Sequence, residues 1–277
     1  MDKALKLNWH KSSNFGDQLN PYLVKKMWGF NSFKIKEGYK EPHVMMIGSI
    51  LNEANSQTLV LGSGFVGENR FFDGAPRIIT VRGKKTLQMV GDVGIETENI
   101  GLGDPAILMP DYFSPSQNLN KYDLGIIPHL VDMEIAGEIF GRKRGTRIID
   151  LRLIGETFTE IESIVNQICS CRCIISSSLH GLIIAHTYGI PGIWCEFSDM
   201  VIGEGFKFKD YMSAHGVNED SVPYLNFKDP NGLLTVPEIK GLAKNIIIDS
   251  EQEREKMKEI SNSVYDIIQS SKRMYLL

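Results

Sequence analysis

The segment Ser176-Ser177-Ser178-Leu179-His180-Gly181 carries the residues best suited to acid–base chemistry. It follows an apolar run, so we expect a strand that leads into three serines and then into a helix. Ser177 or Ser178 is a natural N-cap, which places His180 in the first helical turn, where free backbone N–H groups favour an anion. An imidazole there can bind the anion and deliver a proton, because its pKa lies near neutrality. His186, deeper in the same helix, is expected to be structural.

Cationic side chains at two other places could hold the charge of such an anion. Arg82 ends a buried-looking strand, and Lys84 and Lys85 begin the next helix, where positive charge opposes the helix dipole and an anion is expected nearby. Lys207, beside glycines that could hinge a closing segment, could neutralise a phosphate or a carboxylate. The alternatives are a solvated charged turn at the first place and an amphipathic helix with exposed lysines at the second.

Two further segments follow predicted strands. Gly62-Ser63-Gly64 lets the backbone approach a ligand and leaves N–H groups for an anion, although a tight turn explains it equally well. Asp17 opens the first helix. It is either the cap of that helix or a carboxylate that faces a hydroxyl nucleophile.

Strands and helices must alternate along the chain to bring these segments together, and the pattern is that of an α/β protein. The sequence predicts strands at Leu5–Trp9, Val44–Ser49, Thr58–Leu61, Arg77–Val81, Ile100–Leu108, Asp123–Ile127, Thr146–Asp150, Cys173–Ser176 and Gly192–Glu196. It predicts helices at Asp17–Trp28, Lys84–Val90, Met133–Phe140, Phe158–Ile168, Leu179–Tyr188, Phe206–Ser213 and Ser250–Met274. Ligands collect at the carboxyl ends of strands in such folds, which is where the segments above lie.

A polar, proline-bracketed stretch from Pro110 to Asn120 separates two series of strands. We therefore predict one lobe over residues 1–112 and a second over residues 113–277 that includes a C-terminal helix. Both lobes are expected to be Rossmann-like, with a ligand cleft between them.

Composition limits the class of protein. The 277 residues carry 30 Lys plus Arg against 34 Asp plus Glu, a formal charge of -4, so no overall positive field favours nucleic acid. We read neither a secretory signal nor a run long enough to span a membrane, and expect a cytoplasmic protein. The four cysteines lack a zinc or disulfide spacing and are expected to be buried thiols in a reducing compartment; no metal site is expected.

The ordered motifs resemble those of the polysaccharide pyruvyl transferase family. They are Asn14-Phe15-Gly16-Asp17, Gly62-Ser63-Gly64, Arg82-Gly83, Gly103-Asp104-Pro105-Ala106, Ile127-Pro128-His129 and Ser178-Leu179-His180-Gly181. The resemblance spans about Asn14 to Tyr211. It implies two lobes arranged as in GT-B glycosyltransferases, phosphoenolpyruvate as the donor substrate, no further cofactor, and a sugar of a surface polysaccharide or its precursor as the acceptor. The product would be a cyclic pyruvate ketal.

The resemblance also implies roles for individual residues. His180 would be the general acid and Asp17 would accept a hydroxyl proton. The second lobe would be the donor side and the first the acceptor side, with Asn14 and His129 at the acceptor. The family's donor-binding arginine falls on Arg82, and its Leu-His pair falls on Leu179 and His180. The further donor-binding candidates come from the residue types and places described above: Ser177, Ser178, Lys207, Gly62, Ser63 and Gly64. Many family members have Arg where this chain has Ser178, and Lys207, Arg142, Arg144 or Arg147 could supply that charge instead.

Two other functions would use the same architecture. One is a GT-B glycosyltransferase that uses a nucleotide sugar. The other is a non-catalytic glycan-binding or anion-binding homologue, for which Ser178 is the best argument. The acceptor is expected to be a glycan or a lipid-linked oligosaccharide, with membrane association only through that acceptor, and the sequence leaves the oligomeric state open.

Overall fold

The computed structural model describes residues 3–36, 38–68, 73–116, 121–229, 234–244, 246, 248 and 250–277. The end of the predicted break between the lobes, residues 117–120, lies outside the described residues. The first sheet lies before this break and the second after it.

The first lobe is built on a parallel sheet. Within the described part of the chain its strands are β1 (Ala4–Asn8), β2 (Asn31–Lys34), β3 (His43–Met45), β4 (Thr58–Leu61), β5 (Arg77–Val81) and β6 (Gly101–Leu102). They lie in the order β2-β1-β3-β4-β5-β6. Its helices are α1 (Phe15–Trp28), α2 (Lys84–Asp92) and the short α3 (Met109–Tyr112). The inner strands β1, β3 and β4 are almost wholly buried, as strands covered on both faces must be.

The second lobe repeats this plan. Its described strands are β7 (Leu124–Ile127), β8 (Thr146–Ile148), β9 (Ile174–Ser176), β10 (Gly192–Glu196) and β11 (Tyr224–Asn226), again all parallel. They lie in the order β11-β10-β9-β7-β8. The helices are α4 (Met133–Phe140), α5 (Phe158–Cys169), α6 (Leu179–Thr187), α7 (Phe206–Ala214) and α8 (Val236–Ala243).

Both sheets reverse their strand order at the first strand of the lobe. β1 lies between β2 and β3, and β7 lies between β8 and β9. A crevice opens at the carboxyl ends of the strands at such a switch point, and ligands bind there. The loop after β1 and the loops after β7 and β9 are therefore the natural ligand-binding segments of the two lobes.

The last helices, α9 (Glu251–Ser270) and α10 (Lys272–Tyr275), return to the first lobe. Tyr265 stacks on Phe30 with ring centroids 5.9 Å apart. Leu276 forms an antiparallel bridge with Leu5 at the start of β1. The C-terminal helix thus belongs in space to the lobe that opens the chain.

One hydrophobic core runs through both lobes. It joins Leu7 and Phe15 of the first lobe to Leu151, Ile183 and Trp194 of the second. The backbone N–H of Phe15 also donates to the carbonyl of Leu151, at 2.9 Å. The fold class predicted from the sequence is confirmed: an α/β protein with two Rossmann-like lobes, a GT-B-like arrangement and a C-terminal helix.

The prediction of one strand from Ile100 to Leu108 is wrong. Strand β6 ends at Leu102, and Pro105–Leu108 form a 3₁₀ turn that Asp104 caps by accepting the N–H of Ala106. Pro105 has no N–H for a strand ladder, so the apolar run after it becomes helical.

All four cysteines are buried free thiols, as predicted. Burial raises the pKa of Cys171 and of Cys173 to about 11. Within the described residues, no helix is both long enough and apolar enough to cross a lipid bilayer.

Candidate active site

The loop after β1 places a carboxylate at the first switch point. Asn14 caps α1 by accepting the N–H of Gly16 at 2.9 Å, so the alternative that Asp17 caps this helix is wrong. Asp17 lies in the first turn and accepts a hydrogen bond from the Ser12 hydroxyl at 2.5 Å. Burial raises the pKa of Asp17, partly offset by that hydrogen bond and by the charges of His180, His10 and Lys207. A carboxylate with a raised pKa is suited to accept a proton.

The second switch point carries the N-terminus of α6. The helix begins at Leu179 with Ser178 as its N-cap residue, although the Ser178 side chain forms no capping hydrogen bond. His180 therefore lies in the first turn, as predicted, beside backbone N–H groups that have no partner within the helix. The Leu179 side chain is buried in the core and not in the cleft.

His180 lies between the two lobes. Its Nε2 atom is 3.6 Å from Oδ2 of Asp104, which follows β6 of the first lobe. Its Nδ1 atom faces Gly16, where an added Cβ would be only 2.2 Å away. The ring is 14% exposed, so one edge remains open to the cleft. His186 is fully buried, with ring nitrogens bonded to Gly192 O and Tyr211 Oη, and has the structural place predicted for it.

Lys207 is the cation that the structure places in this cleft. It lies in the first turn of α7, where the charges of Arg82, Asp132 and Asp17 act on its ammonium group. No described residue forms a hydrogen bond or an ion pair with its ammonium group, which lies 5.6 Å from the Phe208 ring. Burial, reinforced by the nearby Arg82, lowers the pKa of Lys207 to about 8. An unpaired cation in a cleft is a ready partner for an anionic ligand.

A buried polar network supports the loops at the second switch point. Asp132 accepts the hydroxyls of Ser177, at 2.6 Å, and Ser198, at 2.5 Å. Ser177 in turn accepts the backbone N–H of His129 at 2.8 Å. Burial and the charge of Lys207 lower the pKa of His129, which favours a neutral imidazole. Ser177 thus positions His129 rather than presenting a free hydroxyl.

The anion expected near Arg82 is a carboxylate of the chain itself. Arg82 is 1% exposed, and its Nε atom donates to Asp210 at 2.9 Å. Its two Nη atoms donate to the Ser49 hydroxyl and to the Phe65 carbonyl. Asp210 also accepts the N–H and the hydroxyl of Thr86 in α2. This arrangement explains the basic helix start by an internal ion pair, and a donor-binding role for Arg82 stays a prediction.

The Gly62-Ser63-Gly64 turn is closed by internal bonds. The N–H groups of Gly62 and Gly64 donate to the carbonyls of Thr80 and Gly48, and the Ser63 hydroxyl also donates to Gly48. A Cβ on Gly64 would lie 2.6 Å from Arg82 Cζ. These two N–H groups are therefore engaged, and the glycines let the backbone pack on buried neighbours.

The predicted residues fall into two groups. The structure brings Asp17, His180 and His129 to the loops at the two switch points, and Lys207, in the first turn of α7, within electrostatic range of Asp17 and His129. It does not bring the other cations proposed to replace the family arginine: Arg147 bonds to Tyr122 and Gln167, and Arg142 and Arg144 precede β8, at the amino edge of the sheet. No role for Asp104 or Asp132 was predicted from the sequence. The signal that could have identified Asp104 is its place directly before a proline in the motif Gly103-Asp104-Pro105-Ala106.

A cavity of about 370 Å³ opens beside Ser177 at the carboxyl ends of β10 and β11. Its lining includes the carboxylates of Glu196, Asp199 and Glu204. Its cation, Lys228, is already paired with Glu196 at 2.8 Å and with Asp199 at 2.6 Å. The cavity is thus electronegative, which disfavours a phosphate group.

No group of three or more His, Cys, Asp or Glu side chains in the described parts of the chain is arranged to hold a metal ion.

Comparisons with known proteins agree with the motifs. The model of the family described as polysaccharide pyruvyl transferase matches residues 14–199. An uncharacterized protein of Acanthamoeba polyphaga mimivirus is 30% identical over 215 residues, which cover 76% of this chain and 74% of the viral one. The succinoglycan biosynthesis protein ExoV of Rhizobium meliloti is 30% identical over 212 residues, covering 74% of this chain and 62% of ExoV.

A crystal structure of a functionally uncharacterized protein from Klebsiella pneumoniae aligns with 80% of this chain and 92% of its own, at 10% identity and a TM-score of 0.45.

Proposed function

Because the chain belongs to the polysaccharide pyruvyl transferase family, we propose that it transfers pyruvate from phosphoenolpyruvate to a sugar of a surface polysaccharide or its precursor. The sugar receives the pyruvate as a cyclic ketal. The observation that carries the proposal is the Lys207 ammonium, which forms no hydrogen bond or ion pair with any described residue and lies within electrostatic range of Asp17, as His180 does. A partly buried cation of this kind is a ready partner for an anionic donor.

The donor has two anionic groups, a carboxylate and a phosphate. Lys207 would bind one of them as a point charge, and the N-terminus of α6 would receive the other. Lys207 thereby takes the place of the arginine that many family members carry where this chain has Ser178. This substitution makes Ser178 compatible with catalysis and weighs against a non-catalytic homologue.

The reaction balances with two side chains as proton carriers. His180 protonates C3 of the vinyl group, one sugar hydroxyl attacks C2 and passes its proton towards Asp17, and the C2–O bond to phosphate breaks. A second hydroxyl of the same sugar then attacks C2 and closes the ketal. Two hydroxyl protons are released while C3 and phosphate each take up one, so no oxidant, metal or further cofactor is required by the chemistry.

The negative charge of the cavity in the second lobe argues against a nucleotide-sugar donor. The cavity at the ends of β10 and β11 carries three carboxylates, and its lysine is already paired. A diphosphate in that cavity would face like charges at close range, which is costly. The same surroundings can accept hydrogen bonds from the hydroxyls of a neutral sugar.

The rest of the proposal follows from the chemistry. The acceptor is a glycan or a lipid-linked oligosaccharide, with Asn14 and His129 on its side of the cleft, and the donor implies a place in the cytoplasm, where phosphoenolpyruvate is made. Any membrane association would come from the acceptor.

Incubation with phosphoenolpyruvate and a panel of galactose-containing and glucose-containing glycans tests the proposal. We expect phosphate release and a pyruvyl adduct in the mass spectrum. Phosphoenolpyruvate should also raise the unfolding temperature, because a ligand that binds only the native state stabilises it, whereas UDP-sugars and GDP-sugars should not. A shift with a nucleotide sugar alone would favour a glycosyltransferase, and donor binding without turnover on any glycan would favour a non-catalytic protein.

A further inference from the structure

Two buried polar atoms face each other beside the cleft without a hydrogen-bond partner among the described residues. They are Oδ2 of Asp104 and Nε2 of His180, 3.6 Å apart. Asp104 is 1% exposed, so water does not solvate this carboxylate oxygen. A buried carboxylate oxygen without a donor is costly, and His180 is the charged or polar group that the structure places opposite it.

Asp104 is held rigidly. Its other oxygen, Oδ1, accepts the N–H of Ala106 at 2.9 Å and so caps the 3₁₀ turn. The ring of Pro105 packs on Gly62, where an added Cβ would lie only 2.2 Å from Pro105 Cδ. The Tyr211 hydroxyl, whose pKa is raised by burial and also by the charge of Asp104, is hydrogen-bonded to His186 at 3.2 Å instead. Oδ2 therefore keeps one direction, towards His180.

The geometry distinguishes the two nitrogens of the imidazole. Nε2 faces the Asp104 carboxylate, and a carboxylate accepts a hydrogen bond and cannot donate one. Nε2 is thus the nitrogen that keeps its hydrogen. Nδ1 lies on the other side of the ring, against Gly16. Because Nε2 is buried, the exposed 14% of the side chain belongs to its other atoms, and Nδ1 is the nitrogen left for the substrate.

We propose that Asp104 is a positioning residue that fixes the orientation and the Nε2–H tautomer of His180, so that Nδ1 carries the proton delivered to phosphoenolpyruvate. This inference rests on the proposed function. Asp104 comes from the first lobe and His180 from the second, so the pair forms only when the lobes are correctly docked. The 3.6 Å separation shortens to a hydrogen bond when the donor binds, as catalytic hydrogen bonds do.

Asp104→Asn is the sharpest test. The amide oxygen can still cap the Ala106 N–H, but the amide N–H₂ now faces Nε2 as a donor and favours the opposite tautomer. An aspartate that orients a catalytic histidine loses about 10⁴-fold in turnover on this change, so we expect kcat to fall by roughly 10²–10⁴-fold. The dissociation constant of phosphoenolpyruvate should change less than about threefold. Asp123→Asn, at the amino end of β7 and paired with Lys240, is the matched control and should keep the wild-type kcat.

A second readout needs no substrate. In protein with ¹⁵N-labelled histidine, the wild-type His180 should show a protonated Nε2 and an unprotonated Nδ1 when neutral, and Asp104→Asn should reverse this pattern. Asp104→Ser, which keeps a capping oxygen but has no carboxylate, should lose the single preferred tautomer and serves if Asp104→Asn does not fold.

The outcomes separate this inference from the proposed function. A folded Asp104→Asn or Asp104→Ser protein with the wild-type tautomer would overturn the role of Asp104, and so would a normal kcat in either. A wild-type protein that neither binds phosphoenolpyruvate nor turns it over would overturn the proposed function, while the NMR result would still decide the tautomer.

Discussion

His180 and His186 lie on the same helix but differ in exposure: His180 is partly exposed and His186 is buried. His180 has one edge in the cleft, whereas burial lowers the pKa of His186 to about 4, and its two nitrogens are bonded internally. His180→Gln should therefore lower turnover by roughly 10²–10⁴-fold, the usual range for losing a general acid, with a smaller loss of donor affinity. His186→Gln should affect stability and leave turnover near normal. Single-turnover kinetics, calorimetry and circular dichroism on both variants check this; near-normal turnover in His180→Gln would rule out its role as the acid.

The ring of His180 fits against a glycine. An added Cβ at Gly16 would lie 2.2 Å from Nδ1, so Gly16→Ala must displace the imidazole from its place opposite Asp104. Because a displacement of about 1 Å can cost about 10²-fold in rate, we expect a loss of that order in kcat. Gly137→Ala, in α4 with no atom within 4 Å of the new Cβ, is the control and should be fully active. Equal activity of the two variants would contradict this placement of His180.

Lys207 makes donor binding depend on pH. Its pKa is lowered to about 8, so the ammonium is charged below that pH and becomes neutral above it. Above pH 7 the phosphate of the donor is already fully ionised, since its second pKa is about 6. The affinity for phosphoenolpyruvate should therefore fall as the pH rises from 7 to 9.5.

Calorimetric titration of wild type, Lys207→Gln and Lys209→Gln across this range checks the dependence. Lys207→Gln should bind weakly at every pH, and Lys209→Gln should behave as wild type. An affinity of the wild type that stays constant from pH 7 to 9.5 would exclude Lys207 as the donor cation.

At the scale of elements, Asp210 ties α7 to α2. Its carboxylate pairs with Arg82 and accepts the N–H and hydroxyl of Thr86, all in buried surroundings. Asp210→Asn leaves a buried guanidinium without its counter-charge, so the free energy of unfolding should fall by about 3–5 kcal/mol in urea titrations. Glu219→Gln removes the exposed partner of Lys85 in the same region and should cost less than about 1 kcal/mol. A similar small loss in both variants would show that the buried pair does not join these helices.

Elements with a strong local pattern were predictable. The prediction Thr58–Leu61 matches β4 residue for residue, and Met133–Phe140 matches α4, because an uninterrupted apolar run and a helical periodicity both report burial directly. The short polar edge strand β2 (Asn31–Lys34) was missed, since it buries too little apolar surface to produce a pattern. The strand predicted through Asp104 and Pro105 failed because a capping carboxylate and a proline outweigh hydrophobicity.

The candidate site was only half predictable from the sequence. His180, Asp17 and Lys207 each lie in the first turn of a helix that follows a strand, and the local sequence locates such positions. The partner of Arg82 is 128 residues away and that of His180 is 76 residues away, distances at which sequence patterns say nothing about contact. Charge alone could not tell a cation that awaits a ligand, such as Lys207, from one that is already paired, such as Arg82.

At the scale of the whole molecule, the C-terminal helix α9 supports the first lobe. Met257 is 1% exposed and packs under Gly103, just before Asp104. Met257→Ala should lower the free energy of unfolding by about 2–5 kcal/mol and speed amide exchange in residues 101–108. Ile239→Ala, equally buried under the second sheet, should cost a similar amount without that local change. Unchanged exchange in residues 101–108 of Met257→Ala would show that α9 does not support this segment.

Because residues 251–276 return to β1, the first lobe cannot complete its fold until the end of the chain has been synthesised. The ribosome releases the first sheet early, but the helix that covers it and the bridge from Leu276 to Leu5 arrive only after the whole second sheet has been made. Until then one flank of the nascent first lobe stays uncovered, and such surface is prone to aggregate. The first lobe made is therefore the last to be finished, and a chaperone that shields residues 4–108 during translation would raise the yield of this protein more than one that acts on the second lobe.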